Sequence, residues 1–188
     1  DLANELRQVG FHALALHGDL EQKERDQVLV QFANGSSNIL IATDVAARGL
    51  DIKDLQAVIN YELPQDPEIH IHRIGRTGRA GREGLALSLF MPSEAPKIIA
   101  IEKYQKSPAR IEELTKLTAA PEQHNPAPDM ITLCISGGRK NKVRAGDILG
   151  ALTADSKLNG KRIGKIDIFE IVSYVAVEEA IARQALNI

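Results

Sequence analysis

The chain has one cysteine, Cys134, no tryptophan, and only four phenylalanines and three tyrosines in 188 residues. A single cysteine excludes an internal disulfide framework and favours a reducing, cytoplasmic setting. So few aromatics exclude a surface that binds chiefly by stacking. No apolar run approaches the roughly 18 residues of a membrane span, so no membrane partner is expected. No secretory leader pattern opens the chain, and Asp1 reads as the middle of a helix. Nor is there an excess of cationic charge: 23 Lys and Arg stand against 25 Asp and Glu, a net of −2 that taken whole argues against a nucleic-acid binder.

What is present is unevenly spread. Residues 118–128 read TAAPEQHNPAP, three prolines without apolar periodicity, which is linker chemistry. Before Met130 there are 14 Lys and Arg against 19 Asp and Glu, a net of −5; from Met130 onward 9 against 6, a net of +3. Four of those nine cations fall in one hexapeptide, Arg139-Lys140-Asn141-Lys142-Val143-Arg144. The division expected is a first domain over 1–117, a linker over 118–129 and a small basic domain over 130–188.

In the first part, short apolar runs at 11–16, 38–42, 57–61 and 85–90 read as buried strands. Between them, Leu20, Val28, Leu29 and Phe32 share a helical face that Asn34-Gly35 ends, and Pro67 can open a helix carrying Ile69 to Ile74. Strands alternating with helices imply an α/β fold with a parallel sheet, and ligands on such sheets bind beyond the carboxyl ends of the strands. The second part reads as strand 131–136, helix 145–152, strands 162–169 and 172–177, then helix 178–186. That order is a small α+β ferredoxin-like domain, truncated before its last strand.

Two segments carry chemistry. Residues 42–51 read ATDVAARGLD directly after a strand, and residues 72–81 read HRIGRTGRAG. In the second, Arg73, Arg76, Arg79 and Arg82 recur every third residue, interleaved with Gly75, Gly78 and Gly81, a pattern able to clamp phosphate oxygens. These two segments resemble motifs V and VI of the DEAD-box RNA helicases. His17-Gly18-Asp19 and Gln22-Lys23-Glu24-Arg25 are similar to two further elements of that family's second RecA-like domain.

The resemblance covers residues 1–106 in family order and implies a RecA-like parallel sheet with flanking helices, lacking its first strand. It implies that Arg79 is an arginine finger at the γ-phosphate of ATP, with Arg76 beside it. Asp51 would accept a hydrogen bond from the ribose, and Gly49 would let the chain turn close to the nucleotide. Gly18, Gln22, Arg25, Thr43 and Arg48 would hold the RNA backbone without reading sequence. His72 would couple the RNA and ATP sites. Neither G-x-x-x-x-G-K-[ST] nor Asp-Glu-Ala-Asp occurs. The phosphate bed and the Mg²⁺ ligands are therefore expected in a first RecA-like domain joined in cis, and these 188 residues alone are expected to be inactive.

The tail, through residues 131–140 and 143–150, resembles the RNA-recognition domain of the DbpA-type helicases. It carries Thr132 and Cys134 where that fold usually has a stacking aromatic, keeping only Tyr174. The basic loop of Arg139, Lys140, Lys142 and Arg144, with Tyr174, is the expected RNA contact. The resemblance implies a hairpin of large-subunit ribosomal RNA as target, and pre-ribosomal particles as the setting. Two other readings stay open from the residues alone: a non-catalytic RNA-binding adaptor that retains motifs V and VI, and half of a DNA helicase.

Overall fold

The computed structural model describes residues 1–47, 52, 55–78, 83–116, 127–154 and 158–188. The chain forms two compact units, residues 1–49 together with 120–188, and residues 50–119. Among the described residues no helix is long and apolar enough to cross a membrane.

In the first unit, α1 (Leu2–Gln8) is opened by the Asp1 carboxylate, which accepts from the Ala3 amide at 2.9 Å. β1 (Ala13–Leu16) and β2 (Ile39–Ala42) pair in parallel, with Leu16 opposite Ala42. The crossover between them is α2 (Gln22–Ala33). Its start is held by the Glu24 carboxylate, which accepts from the Glu21 amide at 3.0 Å. Val30 is its buried residue, while Val28, Leu29 and Phe32 are half-buried, one step away from the face expected from spacing. After β2 the chain makes a single turn of helix, α3 (Asp44–Ala47).

The tail of this unit runs β5 (Met130–Ile135), α6 (Ala145–Ala154), β6 (Ile163–Ile168), β7 (Ser173–Glu178) and α7 (Glu179–Ala185). Its antiparallel sheet has the order β5-β7-β6, the split βαβ arrangement expected of a ferredoxin-like unit. Leu133, Val175 and Val177 on one face pack with Ile148, Leu152 and Leu158 and with Ile181, Ala182 and Ala185 of α7, the largest core of the chain's described residues.

The second unit contains β3 (Ala57–Asn60) and β4 (Leu85–Ser88), again parallel, with Asn60 opposite Ser88. Between them lies α4 (Pro67–Ile74), its Pro67 in the first turn as its fixed φ favours. α5 (Ala95–Gln105) follows β4 and buries Ile98 and Ile101 against Leu63, with Phe90 at the edge. Parallel pairs crossed over by helices, followed by a small antiparallel-sheet domain, are the α/β and α+β classes read from the pattern.

Candidate functional site

The carboxyl ends of β1 and β2 are tied together where the sequence places its motifs. The Thr43 amide donates to the Leu16 carbonyl at 3.2 Å, drawing the residue after β2 against the end of β1. Thr43 Oγ1 accepts from the Ala46 amide at 3.4 Å and so opens α3. Arg25 Nη2, from α2, donates to the Ala46 carbonyl. Arg25 and Thr43, 18 positions apart in sequence, therefore meet at one strand end. Arg25 is half-buried, and one of its five donors is committed to the backbone. Gly18 and Thr43 are exposed in the same region, and Gln22 is exposed with its Nε2 donating to Asp26 Oδ1 at 2.7 Å. His17 Nδ1 lies 3.5 Å from Asp19 Oδ2.

Arg48, Gly49, Asp51 and Arg79 lie outside the described residues, as does Arg82. Of the residues expected at the nucleotide, Arg76 is described: it is half-buried, and its carbonyl accepts from the Leu55 amide at 3.1 Å. Among the described residues no group of three or more His, Cys, Asp or Glu side chains could hold a metal ion.

The arginines that recur at every third residue do not share one role. Arg73 turns inward, its Nη1 donating to Asn60 Oδ1 at 3.1 Å and to the Glu62 carbonyl at 2.8 Å. It is a strut between α4 and the end of β3, which corrects its reading as one of four equivalent phosphate ligands. Asn60 Nδ2 in turn donates to Ser88 Oγ at 3.1 Å, and His70 Nε2 lies 3.3 Å from the same hydroxyl. His70 is 7% exposed with Nδ1 unpartnered, and burial, with Arg73 next in weight, pushes its pKa below the ordinary 6.5. Burial thus favours the uncharged ring, and its tautomer sets which way the His70–Ser88 hydrogen bond runs. This network of Asn60, His70, Arg73 and Ser88 was not found from the sequence; the signal was two polar residues, Asn60 and Ser88, ending otherwise apolar strands. His72, two residues on, faces out at 69% exposure, 3.9 Å from Glu68.

Thr77 is buried and its hydroxyl donates to the Leu55 carbonyl, while Leu55 and Thr77 form a parallel bridge. Gly84 is packed against this turn: a Cβ there would stand 2.3 Å from the Gly78 nitrogen and 2.4 Å from Thr77 Oγ1. Gly78 and Gly84, which flank 79–82, are therefore held together by a contact that a side chain at Gly84 would block. Motif spacing did not single out Gly84.

In the tail, the basic hexapeptide is locked by its backbone. The Arg139 amide donates to the Phe169 carbonyl at 2.8 Å and the Lys140 amide to the Glu170 carbonyl at 2.9 Å. Arg139 Nη2 donates to the Ile168 carbonyl at 2.7 Å. Lys142 adopts a left-handed conformation at φ 61°, and the Arg144 amide donates to Asp147 Oδ2 at 2.9 Å. Below the loop, buried Ser173 donates from Oγ to the Gly137 carbonyl at 2.6 Å. Arg139, Lys140, Lys142 and Arg144 are all exposed, so a fixed backbone presents four cations, of which Arg139 also lies 3.8 Å from Glu170. Tyr174 differs from expectation. It is 2% exposed, its ring edge-on to Phe169 with centroids 5.6 Å apart, and burial raises its pKa above 10. Its ring presents no open face for a base.

Residues 1–81 match the helicase conserved C-terminal domain and residues 132–188 the DbpA RNA binding domain. The chain is 51% identical over 186 residues to the ATP-dependent RNA helicase DbpA of Escherichia coli, covering 96% of this chain and 39% of that one. It is 36% identical over 195 residues to the protein of the same name in Bacillus subtilis, covering 94% and 41%. It thus spans about two fifths of the length of these relatives. Among solved structures, Escherichia coli DEAD-box protein SrmB superposes with a TM-score of 0.57 at 37% identity, over 64% of this chain and 72% of that one. Two such domains in succession, with sequence identity that runs through both of them, have one common source: the chain belongs to the DbpA type of DEAD-box RNA helicases.

Proposed function

We propose that the full-length protein is an ATP-dependent RNA helicase that unwinds short RNA duplexes close to a structured hairpin held by its tail. The hairpin is an element of large-subunit ribosomal RNA, and the setting is ribosome assembly in the cytoplasm. The observation that carries the reading is the union, in one chain, of a helicase C-terminal domain with a tail whose four cations project from a backbone-locked loop.

In this scheme Gly18, Gln22, Arg25, Thr43 and Arg48 grip the RNA backbone, a sequence-independent hold suited to any duplex. Asp51 and Gly49 seat the nucleotide, while Arg76 and Arg79 neutralise charge that develops on the transferred phosphoryl group. ATP supplies the phosphoryl group, and Mg²⁺ is held by a further RecA-like domain. His72, exposed at the end of α4, meets that domain. Arg139, Lys140, Lys142 and Arg144 bind the hairpin by shape and phosphate, as folded RNA is usually recognised.

The test separates the two halves. Arg79→Ala in the full-length protein should abolish RNA-stimulated ATP turnover and leave hairpin affinity within about twofold. Lys140→Glu with Lys142→Glu should weaken hairpin binding and lower the slope of log K against log salt by about 1.4–1.8, two phosphate contacts' worth. If both sets of changes impair the same step equally, the division of labour is wrong.

A further inference from the structure

The tail's sheet has two faces with different neighbours. One packs on α6 and α7. The other carries Thr132 and Cys134 of β5 beside Ala176 and Tyr174 of β7, in register Thr132 to Ala176 and Cys134 to Tyr174. Among the described residues no helix of the tail lies on this second face; Ala176 is 0% exposed and Tyr174 2%, while Thr132 is half-buried and Cys134 is exposed.

The carboxyl end of α2 meets this face. Asn34 Nδ2 donates to Thr132 Oγ1 at 2.8 Å, and the Thr132 hydroxyl lies 2.7 Å from Ser36 Oγ, to which it donates. A Cβ built on Gly35 would stand 3.8 Å from Met130 Cγ, ordinary van der Waals contact. Further up the helix, Asp26 is near enough to raise the Tyr174 pKa, after burial and the Cys134 thiol. Thr132 stands where a stacking aromatic would project, and its hydroxyl is used up by α2.

We propose that the strand face of the tail is a docking surface for the carboxyl end of α2, so that the tail is seated on the helix bearing Gln22 and Arg25 and leaves RNA to its loop edge. The second half of that statement rests on the RNA-binding reading of the tail; the first does not. Seating has a geometric consequence. Asn34 lies nine residues beyond Arg25, about 14 Å along a helix rising 1.5 Å per residue. A hairpin on the basic loop and a duplex strand at Arg25 would then be held at a set spacing by a rigid element, not by a tether.

The test is a pair of cysteines in the full-length protein, Ser36→Cys with Thr132→Cys, in a Cys134→Ser background. Their side-chain oxygens lie 2.7 Å apart, so the replacing thiols are within disulfide reach. Under oxidised glutathione, without RNA or ATP, the bond is expected in most molecules, mapped by peptide mass spectrometry. Absence of the bond in folded protein overturns the docking. Should the pair fail to fold, wild-type protein with labelled methionine serves: a nuclear Overhauser contact between the Met130 side chain and the Gly35 α-protons is expected, and its absence also overturns docking. Hairpin affinity of the cross-linked protein reads the second half separately. Affinity within about twofold of the reduced form supports the loop edge as the RNA surface. A tenfold or greater loss means that RNA needs the strand face, which refutes that assignment without touching the docking itself.

Discussion

Replacing Gly138 by alanine places a methyl carbon 2.3 Å from the Phe169 carbonyl oxygen and 2.7 Å from the Glu170 carbonyl carbon and the Ile171 nitrogen. Because these obstacles are backbone, no side chain can swing aside. To reach even 3.0 Å, the two loops must part by at least about 0.7 Å. Overpacking of this kind costs about 1–3 kcal/mol. The separation also strains the bonds from the Arg139 amide to Phe169 and from the Lys140 amide to Glu170, at 2.8 and 2.9 Å, worth about 0.5–1.5 kcal/mol each. Gly138→Ala should therefore destabilise the tail by about 2–6 kcal/mol. In a domain of this size that lowers the melting temperature by about 10 °C or more. The basic loop should lose hairpin affinity at temperatures where the rest of the protein is folded. Gly150→Ala is the control: nothing lies within 4 Å of its added methyl group, and Gly150 sits exposed in the interior of α6. Relief of glycine's backbone entropy there should stabilise the tail by about 0.5–1 kcal/mol. Thermal and urea denaturation of both variants decide the matter. Equal stability of Gly138→Ala and wild type, or the same sign for both substitutions, would refute the reasoning.

His70 gives a pH dependence. Its folded pKa lies below the ordinary 6.5, so on acidification the unfolded chain takes up the proton first. The stability is fully present above about pH 6.5 and declines as pH falls below it, towards the folded pKa. His70→Asn should flatten urea-denaturation stability between about pH 6.5 and 5; parallel profiles would remove His70 as the cause. Ser173→Ala strands the buried Gly137 carbonyl, which should cost the tail about 1–3 kcal/mol in the same assay. A loss under about 0.5 kcal/mol would mean that another donor reaches that carbonyl.

Strands and crossovers were legible because apolar run length and helical spacing depend on local sequence. β1, β2, β3 and β4 all fall inside the runs read as strands, and β5, α6, β6, β7 and α7 lie within a residue or two of theirs. The α5 helix was not read: its apolar residues become a face only when Leu63 and Phe90 arrive from elsewhere in the chain. Among the site residues, Arg25 and Thr43 could be singled out by motif, but their meeting at the end of β1 depends on a parallel pairing between residues 26 positions apart, as Ala13 and Ile39 are.

By itself the sequence determined the acidic balance before Met130 and the basic balance after it, the motif residues, and the loop where cations gather. Those are properties of composition and spacing, which no neighbour can alter. Tertiary structure decided how chemically equal residues differ. Arg73 is held inward by its bonds to Asn60 Oδ1 and the Glu62 carbonyl, whereas Arg139, Lys140, Lys142 and Arg144 remain outside on a fixed loop. Tyr174, the one aromatic available for stacking in the tail, is buried instead, because its side of the sheet is an apolar surface with α2 at its rim. Whether a polar or aromatic side chain faces a ligand or a neighbour depends on which groups lie within about 3–4 Å, and that is set by chain segments far away in sequence.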